Sequence, residues 1–198
     1  MSISQMPPEI RERFEVHEWK HAIAILNTDF PNEWNDIIDL LTALSIPVSW
    51  IKEPGGRKSK IAEFVDHFLC EERGWVEKKF DTQLVVDGIA IDSPTHKIDC
   101  YKNGVAIELE WNNKDPFFDR DLNNFRLLFD LRAISVGVII TRTDELQAVF
   151  DSVGKGGSYG ASTTHMSKLS PRIDGGGGAG CPVLVFGIKP ECVEGVRQ

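Results

Sequence analysis

Apolar residues recur at Trp34, Ile37, Ile38, Leu41 and Leu44, just after Phe30-Pro31. That three-and-four spacing is one face of a helix and predicts helical structure over Asn32 to Leu44. Phe14 to Leu26 and Ile61 to Arg73 read the same way, and between Asp119 and Arg132 the stripe Leu122, Phe125, Leu128 and Phe129 predicts an amphipathic helix. Ser135 to Thr141 is nearly continuous apolar and β-branched, the pattern of a strand covered on both faces. Phe80 to Val86 and Cys181 to Ile188 read as further strands, and Asp144 to Phe150 as a short helix. Strands alternating with helices predict an α/β fold, a central mixed β-sheet flanked by α-helices.

The segment Lys97 to Trp111 carries the sharpest local signal. Asn103-Gly104 is the strongest short hairpin sequence, a two-residue type I′ turn with positive φ at both residues. With those two as the loop, Lys102 pairs with Val105, and counting outward sets Asp99 opposite Glu108. Alternation brings Glu110 to the same face and leaves Ile98, Cys100, Val105, Ile107, Leu109 and Trp111 on an apolar one. Carboxylates directly opposite on a sheet repel each other, so something must offset the repulsion. A hard divalent cation such as Mg²⁺ does so, being held by one or two carboxylates plus phosphate oxygens. The competing reading is a solvated polar face, with Lys97 salt-bridged across the strands to Glu110.

Composition changes this picture little. The chain has 198 residues, 41% hydrophobic and 26% charged, as expected of one globular domain over 1–198 with a mobile stretch at 1–8. No apolar run is long enough to span a bilayer and no signal peptide is evident, which predicts a cytoplasmic protein. Cys70, Cys100, Cys181 and Cys192 are widely spaced and form no metal-ligand pair, so they are expected as free, mostly buried thiols. Gly55 and Gly56 lie in a basic turn, but no Walker pattern is present, which argues against a nucleotide cofactor. The net charge of −8 is the wrong sign for a phosphate-binding surface. Its distribution softens that: residues 151–198 carry 5 basic and 4 acidic side chains, leaving 17 and 26 for residues 1–150. A cation bound at the acidic cluster would also reverse the local sign.

Asp99 followed across the hairpin by Glu108-Leu109-Glu110 resembles the active-site signature of the PD-(D/E)XK nuclease fold, in the variant carried by type II restriction endonucleases of the BglII, BstYI and BamHI group. Val105 to Trp111 is similar to the catalytic strand of that group. Lys60 to Phe64 leading through Glu71-Glu72-Arg73 into Gly74-Trp75, and the late strand Cys181 to Ile188, resemble its flanking elements, so the likeness runs patchily from Ile61 to Ile188. Two departures stand out: Ile98 precedes Asp99 where the signature has proline, and Glu110 stands where most of the superfamily has lysine. The resemblance implies a restriction-endonuclease-like fold and Mg²⁺-dependent hydrolysis of double-stranded DNA at a short palindrome by a homodimer. It also implies Asp99, Glu108 and the Leu109 carbonyl as metal ligands, with Glu110 orienting or deprotonating the attacking water. Alternatives are a repair or nicking nuclease of the same fold, or a DNA-binding protein without catalysis.

The glycine-rich stretch 151–180 reads as a long loop without a packed element, a form that is usually functional or disordered, the alternative being a flexible connector. Ser158, Ser162, Thr163, Thr164, His165, Lys168 and Arg172 supply donors suited to phosphates and base edges. Lys58 in the basic turn and Lys114 after the hairpin are further candidate contacts to the DNA backbone, and Arg126 a further phosphate clamp.

Overall fold

The computed structural model describes residues 3–54, 58–93, 95–160 and 162–195. Gly55, Gly56 and Arg57 of the basic turn, and Met1 and Ser2 of the N-terminal stretch, lie outside the described residues. The chain opens with α1 (Pro8–Arg13), β1 (Phe14–Trp19), α2 (Ala22–Asp29), α3 (Pro31–Ala43), β2 (Ile46–Pro47) and α4 (Val48–Lys52). Next come α5 (Lys60–Asp66), extended by a π-helical turn at His67–Glu72, then β3 (Val76–Lys78), β4 (Gln83–Val86) and β5 (Ile89–Asp92). β6 (Ile98–Lys102), β7 (Val105–Leu109), α6 (Pro116–Asp130), β8 (Val136–Arg142), α7 (Leu146–Ser152), α8 (Met166–Asp174), β9 (Val183–Ile188) and β10 (Val193–Glu194) complete it.

Six strands form one mixed sheet in the order β1-β9-β8-β7-β6-β3. β7, β8 and β9 run parallel, while β1, β6 and β3 pair antiparallel to their neighbours. Every residue of β7, β8 and β9 is buried, as their continuous apolar sequences require when helices cover both faces. One face packs against α1 to α5 and α7, in a cluster that includes Met6, Ile37, Leu41, Leu69, Ile107 and Phe150. The N-terminal stretch is therefore anchored from Met6 onward. The other face packs against α6 and α8 through Ala106, Phe118, Phe125, Ile139 and Leu169. Gly137 allows the closest part of that second contact, since a Cβ there would lie 2.2 Å from the Phe125 ring.

Three readings of the sequence need correction. The helix expected over Phe14 to Leu26 is a strand followed by a helix, because Phe14–Trp19 pairs with β9 residue for residue from Phe14↔Ile188 to Trp19↔Val183. Sheet pairing overrode a local apolar spacing compatible with either form. The strand expected over Phe80 to Val86 is one arm of a separate two-stranded ribbon, β4 with β5. The stretch 151–180 contains α8, whose Met166, Leu169 and Ile173 are buried against the sheet side of α6. Its apolar residues at helical spacing were masked in the sequence by the glycines on either side. Among the described residues no helix is long and apolar enough to cross a membrane.

Candidate active site

The β6–β7 turn has the expected form, with Asn103 at φ 47° and Gly104 at φ 90°. The ladder pairs Lys102 with Val105, Tyr101 with Ala106 and Cys100 with Ile107. One step further, backbone pairing gives way to side chains. The Asp99 N–H donates to Glu108 Oε2 at 3.4 Å, and the Leu109 N–H donates to Asp99 Oδ2 at 3.0 Å. The two acids foreseen from the turn count thus meet through each other's backbone. An extra residue in β6 explains the change, since Val76 pairs with Tyr101 but Lys78 with Ile98. Such a bulge re-aims side chains. It turns Ile98 to the α6 face, not to the Cys100 face that strict alternation predicts.

α6 closes over the carboxylates. Glu108 and Glu110 are each 1% exposed, and Asp121, on α6, is fully buried. Asn113 Nδ2 donates to Glu110 Oε2 at 2.8 Å, and Arg120 Nη2 reaches Glu110 Oε1 at 3.3 Å while its Nε donates to Asp121 Oδ1 at 2.9 Å. Lys97 pairs with Glu77 at 2.7 Å, so the cross-strand bridge to Glu110 does not form. Burial, then the charge of Asp121, pushes Glu110 up to about 9 despite Arg120. Burial, then the charges of Asp121 and Asp99, likewise holds Glu108 well above the ordinary carboxylate range, and burial raises Asp121.

Glu108 Oε1 is buried without a hydrogen-bond partner. A buried carboxylate oxygen with nothing to accept is costly, and it takes either a proton or a cation. The donor set of Asp99, Glu108 and the Leu109 carbonyl therefore fits a hard divalent ion by its chemistry. It comprises only two carboxylates, and among the described residues no three His, Cys, Asp or Glu side chains converge on one point. Asp121 escaped the sequence reading. The signal was present, as an acid three residues after Phe118 and one before Leu122 on the buried stripe of α6.

Asp99 and Leu109 open onto a groove of about 1060 Å³, also lined by Trp50, Lys58, Lys60, Trp111 and Tyr159. Its acids Glu53, Glu63, Asp66, Glu71 and Glu77 outnumber its cations. Lys58 faces it, ion-paired to Asp66. The segment after α7 is stapled to the end of β7. Lys114 bridges Thr163, and Thr164 Oγ1 and Thr141 Oγ1 both donate to the Glu110 carbonyl, at 3.0 and 2.8 Å. Arg142, 1% exposed, donates to the Tyr159 carbonyl at 3.1 Å and to Thr163 Oγ1 at 3.0 Å. Thr163 and Thr164 are thus buried and engaged with protein, while Ser158 and Ser162 are exposed. His165 pairs with Asp144 at 2.8 Å, Lys168 with Asp115 at 3.3 Å and Arg172 with Asp119 at 2.9 Å. Arg126 donates to the nearby Asn123 Oδ1.

The family model described as restriction endonuclease BglII/BglIII matches residues 14–188, from the first residue of β1 to the last of β9. No curated protein matches the chain. The match spans the sheet, the carboxylate cluster and the helix that covers it, so the chain belongs to the BglII/BglIII restriction endonuclease family and is a type II, site-specific deoxyribonuclease.

Proposed function

We propose that this chain hydrolyses double-stranded DNA at a short palindrome in the cytoplasm, as a homodimer that depends on Mg²⁺. The observation that carries the reading is the buried, unpartnered Glu108 Oε1, on the side chain whose other oxygen accepts from the N–H of Asp99, a residue that lines the groove. Asp99, Glu108 and the Leu109 carbonyl hold the ion. Mg²⁺, when bound, neutralises charge and lowers the pKa of a coordinated water. Glu110, held by Asn113 and Arg120, orients the attacking water and takes its proton. Burial raises its pKa in the metal-free protein, so it serves as the base once a cation bound beside it draws that pKa down and frees the carboxylate. Lys58 and Lys114 contact phosphates. The exposed Ser158 and Ser162, with His165, Lys168 and Arg172, contact DNA beyond them, Lys168 and Arg172 exchanging aspartate partners for phosphate. Thr163 and Thr164 contribute by holding the strand end, as their buried hydroxyls support.

End-sequencing of fragments released from genomic DNA tests this reading. With Mg²⁺ the ends should share one short palindrome and a constant stagger, and without divalent ions no fragments should appear. Ends with no shared sequence, or cleavage undiminished by a chelator, would overturn it.

A further inference from the structure

The partly buried Cys70 and the buried Cys100 bring their sulfur atoms to 3.7 Å. Cys100 directly follows Asp99 on β6, and Cys70 lies in the π-helical turn and lines the groove beside Asp99. One sulfur is thus reached from the groove and the other adjoins a proposed metal ligand. The remaining thiols are engaged elsewhere, Cys181 with the Pro182 carbonyl and Cys192 with the Arg13 carbonyl. We infer that Cys70 and Cys100 form a redox modification site, which a hydroperoxide converts to a disulfide that switches off DNA cleavage until a thiol reductant restores it.

The chemistry balances with hydrogen peroxide as oxidant. The Cys70 sulfur attacks one peroxide oxygen, the O–O bond breaks, and the departing hydroxide takes the thiol proton as water, leaving a sulfenic acid. The Cys100 sulfur then attacks the Cys70 sulfur, the S–O bond breaks, and a second water leaves with the Cys100 proton. The order follows from access, because only Cys70 faces the groove.

Bond formation draws the sulfurs from 3.7 Å to about 2.0 Å. The movement falls on the backbone next to Asp99, whose N–H and carboxylate make the two bonds that hold the site together. Displacements of about 1 Å at a reacting centre cost on the order of 100-fold in rate. The loss of cleavage rests on the proposed role of Asp99, whereas formation of the disulfide does not.

The test treats the full chain with hydrogen peroxide, maps peptides by mass, and measures single-turnover cleavage before and after dithiothreitol. Cys70→Ser and Cys70→Ala run in parallel. The expected result is a Cys70–Cys100 linked peptide lighter by two hydrogens and a rate lowered by roughly 100-fold and restored by reductant. The Cys70 variants should keep the untreated rate and resist peroxide. Absence of the linked peptide, an unchanged rate in linked protein, or equal inactivation of the Cys70 variants would overturn the inference. Failure of the metal-site reading would show separately, as an active Asp99→Ala enzyme.

Discussion

The chain builds two hairpins with the same turn device and opposite fates. Asp87-Gly88 joins β4 to β5 with φ values of 49° and 81°, a near copy of Asn103-Gly104 with 47° and 90°. Both close on two-residue loops, Val86 pairing with Ile89 as Lys102 pairs with Val105. Both carry apolar strands and acids. Yet every residue of β7 is buried, whereas all eight residues of β4 and β5 are exposed, Val85 to 69%. On the ribbon Asp92 accepts a hydrogen bond from Gln83 and faces solvent. On the β6–β7 hairpin and its continuation Glu108 and Glu110 are sealed under α6 among other acids. A hairpin brings carboxylates together, but exclusion of water is what gives them unusual proton affinity and a demand for a cation.

The largest expected contrast is in activity. Asp99→Ala or Glu108→Ala should lower the single-turnover rate with Mg²⁺ by about 1,000-fold or more, with the circular dichroism spectrum unchanged. Asp87→Ala or Asp92→Ala on the ribbon should leave the rate as it was. A near-normal rate in either catalytic variant would remove the metal site from this hairpin.

Stability should differ next. Ile107→Ala empties a filled position between sheet and helices and should cost about 2–5 kcal/mol in urea denaturation. Ile89→Ala, at a residue 67% exposed, should stay within about 0.5 kcal/mol. A comparable loss at Ile89 would mean that a partner covers the ribbon in solution.

The pH dependence sharpens the electrostatic half of the comparison. Glu110 goes from an ordinary value of 4.5 to about 9 on folding, so the native state binds its proton more tightly than the unfolded chain does. Its contribution is fully present below about 4.5 and is lost as pH rises toward about 9. Without divalent ions, thermal midpoints should therefore fall across that window. Glu110→Gln should flatten the fall. The same variant, followed in single-turnover rates across pH, separates a base from a group that only orients water: an unchanged rate and profile would exclude Glu110 as the base.

The smallest effect concerns the turns themselves. Gly104→Ala and Gly88→Ala each place a side chain at positive φ, which costs roughly 1–2 kcal/mol. In the β6–β7 hairpin that cost should appear in global unfolding. In the ribbon it should appear only as faster hydrogen exchange over 83–92, because all eight of its strand residues are exposed.

Much of the site was legible in the sequence because turn chemistry is local. Asn103-Gly104 dictated the register, and the register brought Asp99 to Glu108. The same logic applied to Asp87-Gly88 finds the ribbon, and reading Phe80 to Val86 as a lone strand passed over it. Strict alternation misplaced Ile98, since a bulge answers to pairing with β3, many residues away. Thr163 and Thr164 read as DNA contacts because hydroxyls in a glycine-rich stretch supply donors for phosphates and base edges. Their burial follows from the end of β7 and from Arg142, neither of which is near them in the chain.

By itself the sequence determined the turns, the apolar strands of the parallel core, the stripes of α3 and α6, and the pairing of Asp99 with Glu108. These depend on backbone preferences and periodicities that act within a few residues. Only the tertiary structure decided which hairpin would be buried, that Asp121 and Arg120 would join Glu110, and that Cys70 would meet Cys100. Each of those depends on which distant surfaces exclude water together, and desolvation is a property of the packed layers as a whole.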